Sequence, residues 1–300
     1  MQINQKQVLT KGIIYAVVAG VLWGVSAICA QFLFQYREIE PRWLVSARLL
    51  FSGTMLILYS SITHGKAVFD IFKTRMDTIQ VFAFGICGMM GVQFMYFTAI
   101  QASNAATATV LQYLGPVLIA SYYALRRRRW PAGRERIAIV LAVLGTFLLV
   151  THGDISKLSI SKPALFWGLG GAMALSFNSI FPISLLRKFE STIVLGWAMF
   201  IGGLTISCLM TPPWAVSGIW DLSTFMATGF ILVFGSLIAF YLYLNAIHMI
   251  GAEISSLLAT VQPLSATILA VLVMGVPFIL VDYLGAACII TTIVILARKK

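Results

Sequence analysis

Charge is what this chain has least of. Lys, Arg, Asp and Glu make up only 10% of its 300 residues, where a water-soluble domain carries about a quarter. With 60% hydrophobic residues and a mean hydropathy of +0.93, the chain cannot present a hydrated surface, and a soluble globular fold is excluded. Acid is scarcer still, with 10 Asp and Glu against 21 Lys and Arg. No carboxylate falls deep in a long apolar run, so no proton or cation carrier is marked; Glu253 and Asp282 fall in first turns, where a carboxylate complements the helix dipole and reads as a cap. The four cysteines, Cys29, Cys87, Cys208 and Cys288, stand singly in apolar runs without Cys-x-x-Cys spacing. They read as small buried side chains and imply neither disulfide nor metal. His64, His152 and His248 lie at loop or helix-end depth. No His-Glu-x-x-His, Gly-x-Ser-x-Gly or facing pair of acids occurs, which sets an intramembrane lipid-modifying enzyme far behind other readings. No cofactor is expected.

Long apolar runs are what the chain has instead. Ten of them, at about 12–34, 41–62, 78–101, 104–125, 136–152, 163–186, 192–212, 223–247, 252–274 and 277–297, approach the ~20 residues a helix needs to cross hydrocarbon. They are apolar on both parities, which argues against the in-out alternation of a barrel. The first is too long for a signal-peptide core and leads into nine more, so it reads as helix 1. The expected fold is therefore all-α, a polytopic membrane protein of ten transmembrane helices.

The chain also repeats itself. YFTAIQASNAATATVLQYLGP, Tyr96 to Pro116, returns in outline 147 positions later as YLNAIHMIGAEISSLLATVQP, Tyr243 to Pro263. Tyr96, Ala99, Ile100, Ala105, Leu111 and Pro116 fall on Tyr243, Ala246, Ile247, Ala252, Leu258 and Pro263, six matches where chance gives roughly two. Gly88 likewise falls on Gly235. Each copy reads as a helix end, a short turn (Ser103-Asn104; Gly251) and a helix with a central proline. The division is 1–152 and 153–300. Five spans per copy is odd, so the second copy enters the bilayer upside down, giving two inverted five-helix repeats, the plan of many secondary transporters.

Basic residues set the orientation. With a cytoplasmic N-terminus, sixteen of the 21 fall in inner loops, among them Lys66, Lys73, Arg75, Arg126 to Arg129, Arg187, Lys188 and Lys300. Four, Arg37, Arg42, Lys157 and Lys162, fall outside, and Arg48 alone lies in a span. The positive-inside rule then puts both termini in the cytoplasm. A net charge of +11 is thus accounted for by topology, and nucleic acid is not expected as a partner. The Arg126 to Arg129 run reads as a topological anchor, and HGKAVFDIFKTRMD between helices 2 and 3 as a short interfacial helix.

Candidate cavity residues are the polar and aromatic ones at depth: Trp23 and Ser26 in helix 1, Arg48 about seven residues into helix 2, Gln93 and Tyr96 on one face of helix 3, Asn178 in helix 6 and Tyr243 in helix 8. Ala16, Gly20 and Gly24 form a row of small residues that admits another helix backbone. Pro116, Pro182 and Pro263 kink helices 4, 6 and 9, releasing the carbonyls of Gln112, Asn178 and Ala259 near the midplane.

Ten helices as five plus five, Trp23-Gly24 with Ser26, Arg48 in helix 2 and the outlines ending at Pro116 and Pro263 resemble the drug/metabolite transporter superfamily, EamA type. The resemblance covers essentially the whole chain. It implies a plasma-membrane carrier with a central substrate cavity, alternating access, peripheral fifth and tenth helices, and export of amino acids or related small polar metabolites. Family members often have a glutamate just after helices 4 and 9; here those places read Arg126 to Arg129 and Gly275-Val276-Pro277. The lone cation Arg48 favours a carboxylate-bearing substrate over an organic cation. A passive channel is the competing reading, against which stands the absence of rings of charged residues.

Overall fold

Hydrocarbon offers backbone groups no hydrogen-bond partner, and helices are how so apolar a chain closes its own donors and acceptors. The computed structural model describes residues 5–126, 133–151, 160–259 and 261–297, and among them there are helices and no strand. Arg127 to Arg129, His152, Lys157 and Arg298 to Lys300, and the side chains of Arg126, Pro116 and Glu253, lie outside the described set.

Helix α1 is Gln5–Tyr36 and α2 is Pro41–His64, with Pro41 in the first turn, where its missing N–H costs nothing. A 3₁₀ segment, Gly65–Phe72, continues α2 directly; it buries Val68 and Ile71, leaves Phe69 exposed, and receives a 2.8 Å bond from Trp197 Nε1 to the Val68 carbonyl. Helices α3 (Arg75–Ala83) and α4 (Gly91–Ala102) are joined by a π-helical stretch, Phe84–Met90. Helices α5 (Ala105–Gln112) and α6 (Gly115–Arg126) form one apolar rod broken at Tyr113 and Leu114, immediately before Pro116. Then follow α7 (Gly133–Thr151), α8 (Lys162–Ile180) and α9 (Ile183–Leu186), the last two interrupted at Phe181 and Pro182. Helix α10 is Ser191–Leu209; α11 (Leu222–Leu232) and α12 (Ala239–Leu258) are joined by a second π-helical stretch, Val233–Ile238. Helices α13 (Val261–Met274) and α14 (Leu280–Ala297) close the chain. Asp282 stands in the first turn of α14 and accepts from the Ile279 amide at 3.0 Å.

Among the described residues, six helical stretches are long and apolar enough to cross a membrane: Gln7–Tyr36, Pro41–Phe72, Arg75–Ala102, Lys162–Leu186, Ser191–Leu209 and Leu222–Ile250. Four shorter apolar helices accompany them, at Ala105–Ile119, Arg136–Leu148, Val261–Met274 and Leu280–Thr292.

One boundary differs from expectation. The turn expected at Gly251 is absent, because α12 runs on to Leu258 and puts Glu253 in a helix interior rather than a first turn. The physical reason lies in the caps. Asn104 ends its helix by accepting from the Thr107 amide at 2.8 Å, and Gln31 reaches across to accept from the Ala105 amide at 2.8 Å. Gly251 has no side chain with which to cap, so the helical bonds continue until Ala259.

The leading packings are α2 on α10, α7 on α14, α1 on α12 and α13, and α8 on α4 and α5. Glycines set the closest of them. A Cβ at Gly203 would lie 2.8 Å from the Leu50 amide, and one at Gly53 2.5 Å from the Phe200 amide, so α2 and α10 touch backbone to backbone. Beside them the Ser46 and Ser207 hydroxyls bond at 2.6 Å. Local irregularities recur 147 positions apart: Thr74 caps α3 and Asp221 caps α11, and the π-helical stretches hold Gly88 and Gly235.

At Asp221, the Ser223 hydroxyl at 2.6 Å, the Thr224 amide at 2.8 Å, the Thr224 hydroxyl at 2.9 Å and the Arg37 guanidinium at 3.1 Å hold the carboxyl well below its ordinary range. A depressed carboxyl stabilises the fold at every pH above its unfolded value and loses that contribution as pH falls through the folded one.

Two outcomes follow. Gly203→Val should lower stability by about 1–3 kcal/mol through forced separation of α2 and α10, read as a lower Tm in detergent, whereas Gly229→Ala, with open space around it, should leave Tm unchanged. Asp221→Asn should lower Tm equally at pH 7 and pH 5, the gap from the parent closing only below ~3.9, the ordinary aspartate value.

Candidate functional site

A guanidinium within an apolar bundle must spend its N–H groups on something, and Arg48 spends two of them on the π-helical stretch between α11 and α12. Its Nε donates to Ser236 Oγ at 2.5 Å and its Nη2 to the Gly235 carbonyl at 2.8 Å. A π turn moves backbone carbonyls off the α-helical ladder, making such an acceptor available. Ser236 in turn donates to the Ile231 carbonyl at 2.8 Å. The guanidinium carbon sits 5.3 Å from the Phe97 ring centroid, in cation–π range. Arg48 is 7% exposed, and among the described residues no carboxylate pairs with it.

Gly235 lets α1 approach. A Cβ there would collide with the Ser26 hydroxyl and lie 2.6 Å from Ser26 Cβ. Ser26, 2% exposed, has a hydroxyl oxygen with no hydrogen-bond partner. One turn back on the same helix, Trp23 meets Tyr243 edge-on at 5.2 Å and Phe240 at 5.4 Å. The small-residue row of α1 lies over the break between α12 and α13. A Cβ at Gly20 would be 3.1 Å from the Ala259 carbonyl, and one at Gly24 would strike the Ser265 hydroxyl and reach 3.0 Å from the Gln262 carbonyl.

Tyr96 belongs to a second group. Its hydroxyl shares a 2.7 Å bond with Thr109. Tyr113, at the break of the α5–α6 rod, donates to the Ala259 carbonyl and reaches Gln262 Oε1, both at 3.2 Å. The Ala259 carbonyl, expected to be released by Pro263, accepts from the Gln262 amide at 3.0 Å and also from Tyr113 on the other half of the chain.

Of the seven expected cavity residues, Trp23 meets Tyr243, Ser26 and Arg48 converge on Gly235, and Tyr96 packs at 5.5 Å against the Phe97 ring that Arg48 also meets. Gln93 and Asn178 are not drawn into hydrogen bonds with that group among the described residues. Gln93 Oε1 and Asn178 Oδ1 are buried without partners, Asn178 beside Gly88 of the first π-helical stretch. Sequence reasoning missed Ser236, Phe97, Thr109, Tyr113 and Gln262. Tyr113 and Gln262 carried a usable signal, since Tyr113 lies two residues before Gly115-Pro116 and Gln262 immediately before Pro263. A separate cleft of about 410 Å³ between α6 and α8 is lined by Leu118, Tyr122, Met173, Ser176, Phe177, Ile180 and Phe181, with none of the seven.

Long apolar helices whose broken and π-helical turns face a buried polar seam mark a polytopic membrane protein of the transporter class. The chain belongs to the EamA-like transporter family, whose model matches it twice, over residues 10–151 and 162–298. It is 38% identical over 290 residues, 96% of this chain and 95% of the other, to YicL of Salmonella typhimurium, an uncharacterized inner membrane transporter. It is 27% identical to YetK of Bacillus subtilis, an uncharacterized transporter, over 77% of this chain and 69% of that one. A solved crystal structure shares the fold with a TM-score of 0.62 at 18% identity, covering 95% of this chain and 96% of that chain.

Gly235→Ala should cost about 1–3 kcal/mol by driving a methyl into Ser26. Adding Ser26→Gly should restore most of the loss; a double-mutant cycle on detergent Tm that returns no coupling would disprove the contact.

Proposed function

We propose that the chain is an alternating-access carrier that exports amino acids or related carboxylate-bearing metabolites, with no chemistry performed on them. The observation that carries this reading is Arg48: 7% exposed, in the seam where α2 meets the second half, with two of the five N–H groups of a guanidinium bonded and no acidic partner among the described residues. An unpaired buried cation is costly, and a substrate carboxylate in fork geometry is what relieves it. Trp23, Phe240 and Tyr243 supply an aromatic wall, and Ser26, Gln93 and Asn178 hold unpartnered oxygens for a zwitterion's other groups.

In this reading residues 1–152 and 153–300 are inverted five-helix repeats making ten crossings, with both termini cytoplasmic in the plasma membrane. The twofold family match supports it. So does the packing: exchanging the halves turns α1 on α12 and α13 into α8 on α4 and α5, and leaves α2 on α10 and α7 on α14 unchanged.

Thermal unfolding of detergent-purified protein tests the substrate class. An amino acid present at 100 Kd should stabilise by about 2.7 kcal/mol, organic cations at equal concentration should not, and Arg48→Lys should weaken the amino-acid affinity about tenfold or more through loss of the planar fork. Equal stabilisation by cationic dyes, or an unaffected Arg48→Lys, would sink the assignment. Counterflow in liposomes, faster than net flux, separates carrier from channel.

A further inference from the structure

Among the described residues, two ion pairs join the first 151 residues to those after 160. Arg37, in the loop between α1 and α2, lies 3.1 Å from Asp221 at the start of α11. Lys188, in the loop between α9 and α10, lies 2.7 Å from Asp77 in the first turn of α3. The whole of α2, ~36 Å at 1.5 Å per residue, separates the loop of Arg37 from the segment that leads to Asp77.

The two pairs are counterparts. Thr74 and Asp221 stand 147 positions apart, as do Asp77 and Thr224. Each helix start is thus built from one Thr and one Asp with their places exchanged. Thr74 Oγ1 donates to Asp77 Oδ2 at 2.7 Å and accepts from the Asp77 amide; Thr224 Oγ1 donates to Asp221 Oδ1 at 2.9 Å and its amide donates to the same oxygen. In each case the cation comes from the other half, from the loop between that half's first two long helices. Backbone contacts reinforce the first pair, since the Ile219 amide donates to the Arg37 carbonyl at 2.9 Å and Gly218, with φ +83°, lies against Arg37 and Glu38.

Strength matters as much as place. Side-chain exposures are 26% and 44% for Arg37 and Asp221, and 54% and 4% for Lys188 and Asp77. Partly hydrated pairs hold loosely and can break and reform in every cycle.

We propose that these pairs are opposed latches of the carrier: Arg37–Asp221 keeps one mouth shut, Lys188–Asp77 the other, and each half-cycle opens one while the other stays closed. This rests on the alternating-access reading above. The probe is a membrane-impermeant maleimide acting on Ser26→Cys, the four native cysteines being replaced by alanine. Asp221→Asn should raise the labelling rate several-fold from the side of the Arg37 loop only, and Asp77→Asn from the opposite side only. The reversed pair Arg37→Asp with Asp221→Arg should return labelling to the parent rate. A change from the wrong side, an equal change from both, or none in variants that reach the membrane overturns the latches. Should the neutral variants not reach the membrane, oxidised Arg37→Cys/Asp221→Cys decides instead: it should protect Ser26→Cys from that side several-fold, and unchanged labelling refutes the inference. Counterflow that persists while the latch variants stay silent rejects the latches alone; loss of counterflow in the parent protein rejects the carrier reading beneath them.

Discussion

In a medium without water, backbone carbonyls at broken turns must be kept hydrogen-bonded, and this bundle brings donors to three of them from across the molecule. The Gly235 carbonyl is taken by Arg48, the Ala259 carbonyl by Tyr113, and the Gly115 carbonyl by Ser176 at 3.1 Å. In all three, donor and acceptor lie on opposite halves of the chain. The two halves are therefore bound together where the backbone is least regular. The buried polar seam is a by-product of that requirement, and so is the place where a polar molecule could be accommodated.

The repeat in the sequence does not carry a repeated site. The position equivalent to Arg48 is Leu195, and that equivalent to Ser236 is Met89. Gly235 faces Ser26, whereas Gly88 faces its own Phe84 and Asn178. One side of the seam carries a cation and the other carries amide oxygens. The seam thus has chemically unlike ends, which under the proposed carrier reading suits a molecule whose own ends differ.

Much of this was legible before any coordinates. Hydropathy marked the apolar rods because burying them in lipid is a property of composition, and Arg48 stood out because a lone cation in such a rod needs a reason. What it bonded to was not legible, since Ser236 lies 188 positions away and serines in apolar helices are unremarkable. The π-helical stretches were invisible for a different reason: neither contains proline, and both read as ordinary apolar helix. Gly251 misled because glycine is as compatible with a buried helix as with a turn, and only the missing capping side chain tells the two apart. Tyr113 was readable as an aromatic beside a break, but that its hydroxyl would serve the corresponding break in the other half required the packing of α5 on α13.

The π-helical stretches also bear on how such a chain can vary. A π turn accommodates one residue more than an α turn, so everything beyond it is rotated by about 100° relative to an uninterrupted helix. Tyr96 and Tyr243 both lie downstream of one, and their facing depends on the number of residues in Phe84–Met90 and Val233–Ile238 rather than on which residues those are. Within these two short segments a substitution is a local matter and a single-codon deletion would be absorbed by return to an α turn, whereas losing the π turn without losing a residue would swing the aromatic face of a whole helix round by about 100°.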